Sequence, residues 1–244
     1  MKLTVLGNYG SFPGMDGACS GYLIQDSNKK ILIDCGNGTI SRLQRYCRIE
    51  DLDMVILSHL HFDHISDIFP LKYAIETKAS IGQNLNKIKL YLPENPKEIY
   101  NEICNGNVFH SKPVTDGLEI DEGSLRITFA RVPHLIESYA IIIKSGKKKL
   151  VYSGDTAYSD EIVKAAEGAS LFICESTLLD KTGGARLTHH MSAGAAGRVA
   201  SLADVEKLML THFWYEEKKE DYLIEARKYF NNVLIAEQYK TYYV

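Results

Sequence analysis

Short apolar runs bounded by turn-forming residues recur along the chain, at residues 3–6, 21–24, 30–33, 54–57, 89–92, 125–130, 139–143 and 149–152. Runs this short, alternating or continuous in apolar character, predict strands. Three more, at 171–174, 207–210 and 233–236, lie in the second half, each behind a stretch of helical periodicity. Apolar positions spaced along one helix face predict helices over 38–46, 65–77, 96–104, 160–167, 193–202 and 217–230. Hairpin-like pairs come first and strand–helix alternation follows, which places sheets in the middle and helices outside, as a four-layer α/β sandwich. The polar, Asn-rich stretch 78–86 predicts an exposed loop. No Pro/Gly/Ser linker and no internal repeat divides the sequence, so residues 1–244 are expected to form one domain.

Composition narrows the function classes. The 244 residues are 45% apolar, enough for a sizeable core, and carry a formal net charge of −3. An acidic balance without a long basic block argues against an electrostatic nucleic-acid clamp, so no stable nucleic-acid complex is expected. The compact basic cluster Lys147-Lys148-Lys149 follows Ser145-Gly146 and reads as a solvated hairpin turn. No apolar run reaches the ~18 residues of a membrane span, and MKLTVLGNYG is a strand pattern closed by glycine rather than a signal sequence. Five cysteines form no CxxC pair and no closed disulfide set, which suits a reducing compartment. A cytoplasmic location is expected. The oligomeric state is left open, a homodimer being one option.

Candidate chemistry concentrates behind the apolar run Met54-Val55-Ile56-Leu57, in Ser58-His59-Leu60-His61-Phe62-Asp63-His64. Alternate side chains of a strand point the same way, so His59 and His61 can meet on one ion. Where the strand ends and the chain turns towards a helix, Asp63 and His64 swing to a second point. Imidazole and carboxylate ligands suit Zn²⁺, with Mn²⁺ or Fe²⁺ as alternatives, and two adjacent points allow a binuclear site.

His59-Leu60-His61-Phe62-Asp63-His64 resembles the HxHxDH signature of the metallo-β-lactamase fold superfamily, whose fold is a four-layer αββα sandwich. The resemblance extends along the chain and implies further roles. Asp34, after Ile31-Leu32-Ile33, resembles the Asp that orients a ligand His. His134, in Val132-Pro133-His134, resembles the His that completes the first metal's triad. Asp155, in Ser153-Gly154-Asp155-Thr156, resembles the Asp shared by both metals, and His212, in Thr211-His212-Phe213, the last ligand of the second. The implied metal set is therefore His59, His61, Asp63, His64, His134, Asp155 and His212, holding two Zn ions. His110 and His189 are left without a role and read as surface or loop histidines.

The fold alone names no substrate. Oxygen-reducing relatives carry Glu where this chain has Leu60, and true β-lactamases of this type are exported and lack the shared Asp, so both are disfavoured. Ile173-Cys174-Glu175-Ser176-Thr177 resembles the HEAT-type motif of ribonuclease Z-like phosphodiesterases, with Cys174 in place of the usual His. His190-Met191-Ser192-Ala193 resembles their His-Ser/Thr motif. The resemblance implies that Asp63, His190 and Glu175 are the catalytic residues. Ribonuclease Z proper inserts a tRNA-gripping arm between the residues matching His134 and Asp155; here a hairpin over 139–152 fills the interval. The chain therefore looks like the short bacterial metallo-hydrolases of that branch, acting on a phosphodiester in a small-molecule or nucleotide-like substrate through a metal-bridging hydroxide. A thioester or lactone hydrolase of the same fold is the alternative. A non-catalytic metal-binding regulator is a third, disfavoured because so many buried polar residues are costly to keep without a use. The Gly-rich loop 7–21, with Tyr9, Phe12 and Pro13, either lines the site or covers the sandwich edge.

Overall fold

The computed structural model describes residues 1–83, 85–181 and 189–244. The first half builds β1 (Lys2–Gly7), β2 (Gly21–Asp26), β3 (Lys29–Ile33), β4 (Met54–Ile56), β5 (Ile88–Leu92) and β6 (Phe109–Pro113), and the C-terminal β14 (Thr241–Tyr243) joins them. Their order is β14-β1-β2-β3-β4-β5-β6, antiparallel from β14 to β3 and parallel from β3 to β6. The second sheet contains β7 (Glu119–Glu122), β8 (Leu125–Val132), β9 (Ser138–Ser145), β10 (Lys148–Tyr152), β11 (Leu171–Glu175), β12 (Leu208–Thr211) and β13 (Val233–Ile235), in the order β13-β12-β11-β10-β9-β8-β7. Here β10 to β13 are parallel and β7 to β10 antiparallel.

Three apolar layers hold the sandwich. Between the sheets, Val5, Ile24, Ile31, Ile33 and Ile56 of the first pack with Ile127, Ile141, Ile143, Ile173 and Met209 of the second. Outside the first sheet, α1 (Thr39–Leu43), α3 (Ile68–Ser80) and α4 (Lys97–Cys104) contribute Ile40, Leu43, Leu71, Ile75 and Ile103. Outside the second, α5 (Asp160–Ala166), α6 (Ala193–Leu202) and α7 (Lys219–Ala226) contribute Ile162, Val199 and Tyr222. Continuous apolar strands such as β11, buried at every position, are what a sheet covered on both faces requires.

The structure departs from the sequence pattern at the margins. The strands β6, β7 and β14 lack a clear apolar run, and all three lie on a sheet edge, where polar side chains are tolerated and protect the unpaired backbone. A single helix over 65–77 is replaced by the short α2 (Phe62–Ile65) and α3, and α3 runs on through Ser80 into the stretch expected as loop. Residue 84 of that stretch lies outside the described residues. The turn after β9 does fall at Gly146, in the left-handed region with φ 56°. No helix among the described residues is long and apolar enough to cross a membrane.

Candidate metal centre

The site residues follow the C-terminal ends of strands from both sheets, the edge where α/β folds collect functional groups. Asp34 follows β3, His59 lies beyond β4, Asp155 beyond β10, and His212 directly follows β12. Glu175 closes β11, in register with Thr211, so it stands beside His212. The strand β4 stops at Ile56, so His59 and His61 lie in the connection beyond it rather than on the strand; His61 is the N-cap of α2, whose single turn carries Asp63 and His64.

All seven predicted ligands converge. His59 Nε2 lies 3.1 Å from His61 Nδ1, which is 3.1 Å from His134 Nε2, and Asp155 Oδ2 lies 3.6 and 4.0 Å from the His59 and His134 nitrogens. The second group is as tight: His212 Nε2 is 3.1 Å from both His64 Nε2 and Asp63 Oδ2, and 3.4 Å from Asp155 Oδ2. Two nitrogens bound to one tetrahedral Zn²⁺ at about 2.0–2.1 Å sit about 3.3 Å apart, so these separations suit ligands of a common ion. Asp155 belongs to both groups, and its Oδ1 is buried without a hydrogen-bond partner.

The far nitrogen of each ring shows which atom is left for a ligand. His64 Nδ1 donates to Asp34 Oδ2 at 2.7 Å, His134 Nδ1 to the backbone oxygen of His189 at 2.9 Å, and His212 Nδ1 to Thr177 Oγ1 at 2.8 Å. His59 Nδ1 donates to Ser58 Oγ at 3.1 Å, whose own proton goes to Asp34 Oδ2 at 2.9 Å. Nε2 is therefore the ligating atom of these four rings, and those of His64 and His212 face each other at 3.1 Å. Asp34 also accepts from Ser58 N and Tyr152 OH, and holds a left-handed φ of 54° to do so; His212 does likewise at 60°. Such backbone is strained for residues other than glycine and clusters at functional sites.

Electrostatics distinguish the two groups. Burial pushes His59 well down and His61 to about 4, leaving neutral imidazoles ready to ligate. Burial also opposes charge on His64, but Asp155, Asp63 and Asp34 outweigh it and push this imidazole well up. Asp155 would be raised by burial; His212, His64 and His59 hold it well below the usual carboxylate range.

Beside these groups, His190 Nδ1 donates to Glu175 Oε1 at 2.9 Å, and its ring lies 5.1 Å from that of His134 and 5.7 Å from that of His212. Burial opposes charge there too, but Glu175 and then Asp155 raise His190 to about 9. Glu175 further accepts from Thr156 N and Thr177 Oγ1 at 2.8 and 2.6 Å. Thr177 therefore joins the His190–Glu175 pair to His212, a link the sequence did not disclose. His189, expected as an unassigned loop residue, supplies through its backbone the acceptor for His134; His110 is exposed on β6. The Gly-rich loop touches the centre directly: Ser11 N donates to Asp63 Oδ2 at 2.7 Å, and Gly10 packs so close to His212 that a Cβ would overlap the ring.

The chain belongs to the metallo-beta-lactamase superfamily, whose family model matches residues 14–213. It is 33% identical over 233 residues to the probable metallo-hydrolase YhfI of Bacillus subtilis, covering 95% of this chain and 94% of that protein. The crystal structure of YhfI superposes with a TM-score of 0.94, covering 99% and 98% of the two chains at 32% identity. Ribonuclease Z of Methanopyrus kandleri is 26% identical over 273 residues, 97% of this chain and 95% of that one. Human tRNase Z, short form, shares the fold at a TM-score of 0.79 and 20% identity, over 100% and 99% of the chains. These similarities accord with the ribonuclease Z-like branch of the superfamily.

Proposed function

We propose that this protein is a binuclear zinc hydrolase that cleaves a phosphodiester bond in a small or nucleotide-like substrate. His59, His61 and His134 would hold one ion, Asp63, His64 and His212 the other, with Asp155 shared. Held there, two ions would supply positive charge that lowers the pKa of an attacking water towards ~7 and neutralises phosphoryl oxygens. The protein's own contribution is orientation and a proton. Asp34, Ser58, Thr177 and the His189 carbonyl fix four rings with Nε2 inward, so no rearrangement is needed as charge develops.

The observation that carries the phosphodiester reading is the His190–Glu175 pair. Glu175 holds His190 by Nδ1 and favours its protonated form, which leaves Nε2–H to give a proton to the departing oxygen or to stabilise charge on the phosphoryl group. A hydrolase of acyl substrates has less need of such a cation, since its tetrahedral oxygen can be held by the metals alone. The ribonuclease Z relatives support the same chemistry. The hairpin of β9 and β10 fills the chain between His134 and Asp155, which favours small substrates over tRNA. Turnover of bis(p-nitrophenyl) phosphate, a thioester and a lactone by metal-replete protein tests the assignment. The phosphodiester is expected to be the best substrate, and to lose its advantage in His190→Ala; preference for either acyl substrate would overturn the reading.

A further inference from the structure

The basic turn Lys147-Lys148-Lys149 has no part in the metal centre, and its third residue does not lie in open solvent. Lys149 is half-buried and walls a groove of about 680 Å³ on the outer face of the second sheet, between β8–β10 and α5. The floor is apolar, with Ala130 and Ile142 from the sheet and Ala165 from the helix. Arg131, Lys144, Lys149 and Lys164 surround it against only two carboxylates, Asp116 and Glu161, a reversal of sign for a chain of net charge −3.

The groove lysines differ from the lysines that the fold engages in ion pairs. Lys29 and Lys89 reach Glu122 at 2.7 and 2.5 Å, and Lys148 reaches Glu206 at 3.7 Å. Among the described residues, Lys144, Lys149 and Lys164 form no ion pair, and Lys149 Nζ donates only to the backbone oxygen of Glu167, at 2.6 Å. Burial and then Lys144 push the Lys149 ammonium down, with Glu167 opposing only in part. Three ammonium groups from separate elements around an apolar floor make a receptor for an anion with an apolar body.

We propose that this groove binds a small organic polyanion of nucleoside-polyphosphate size, its phosphates meeting Lys144, Lys149 and Lys164 and its ring resting on Ala130 and Ile142. The volume suits such a ligand, within the ~300–1,000 Å³ usual for small-molecule sites. The groove has room for one such molecule rather than for an extended chain, so RNA is the less suitable occupant. None of the lining residues offers a ligand to the metal groups, and the proposal stands whatever reaction the metal centre performs.

Calorimetric titration of the metal-loaded protein with ATP, tripolyphosphate and an RNA oligonucleotide tests it. ATP is expected to bind saturably and more tightly than tripolyphosphate. Lys144→Gln with Lys149→Gln should weaken ATP by about tenfold or more, the loss expected for two charge-assisted contacts, while metal content and turnover of bis(p-nitrophenyl) phosphate stay at wild-type values. Ala130→Glu, which sets a carboxylate on the floor and leaves the Lys149 contact to Glu167 intact, should have the same effect. Asp155→Asn should leave the groove's ATP affinity unchanged. Absence of saturable binding at millimolar ATP, wild-type affinity in the lysine and Ala130 variants, loss of binding only in Asp155→Asn, or tighter binding of RNA than ATP would each overturn the proposal.

Discussion

At His190, burial and charge pull in opposite directions, and the neighbouring carboxylates win, which puts the imidazole at about 9 in the metal-free protein. Ions held at the adjacent groups would add positive charge and move that value down, so the alkaline limb of kcat should fall at or below pH 9. Because the value is raised, the active protonated form fills below the limb and is lost as pH rises through it. His190→Ala should lower kcat on a phosphodiester by about 10²–10⁴-fold with both metals retained and should remove the limb. Glu175→Gln should cost less and shift the limb to lower pH, since it weakens the charge partner but leaves the imidazole. An unmoved limb in Glu175→Gln would show that another group titrates. Thr177 calls for a different readout: Thr177→Val removes the acceptor of His212 Nδ1–H, and second-site metal affinity should drop about 10–100-fold in competition with a chelator, with the first site unaffected.

Side chains that converge from linear motifs, such as His59 to His64, could be read from spacing, whereas the more distant His134, Asp155 and His212 were legible only through the resemblance to a family whose motifs occur in the same order. Thr177, Ser58 and the His189 carbonyl could not be read either way. A hydroxyl or carbonyl that accepts from an imidazole has no motif of its own, and its role exists only once the strand ends are brought together.

Elements in the sheet interiors were legible because burial on both faces forces long apolar runs, whereas the edge strands escaped notice because their exposed positions admit any polar residue. The strand β7 illustrates what holds such an edge. Its Glu122 crosses from the second sheet to Lys29 of β3 and Lys89 of β5 in the first, at 2.7 and 2.5 Å, and Lys29 also reaches Asp53 at 3.3 Å. Glu122 is 8% exposed and its carboxyl is lowered, burial opposing and the two lysines prevailing. A lowered carboxyl stabilises the fold above its unfolded value and loses that contribution as pH falls through its folded one. Glu122→Gln should therefore cost about 1–3 kcal/mol in urea unfolding at pH 7, between the values for exposed and buried pairs, and nothing in acid where Glu122 is already protonated. A pH-independent difference would assign the loss to packing instead.

For the whole molecule, the two sheets deliver ligands to one edge from independent halves of the sandwich: His59, His61, Asp63 and His64 from the first, His134, Asp155 and His212 from the second. Metals would then fasten the halves together, and removing them leaves inward lone pairs and the Asp155 carboxylate poorly satisfied. Chelation is expected to lower Tm, and hydrogen exchange should rise first in the connections after β4, β10 and β12 while the strands stay protected. An unchanged Tm after verified metal removal would contradict a structural role for the ions.

The central claim, a phosphodiesterase that works through two ions sharing Asp155, is tested most directly by titrating Zn²⁺ into chelated protein while following turnover of bis(p-nitrophenyl) phosphate. Activity is expected to stay low through the first equivalent, to rise with the second and to level off at two ions per chain. A plateau at one equivalent, or turnover in the metal-free protein, would contradict the account.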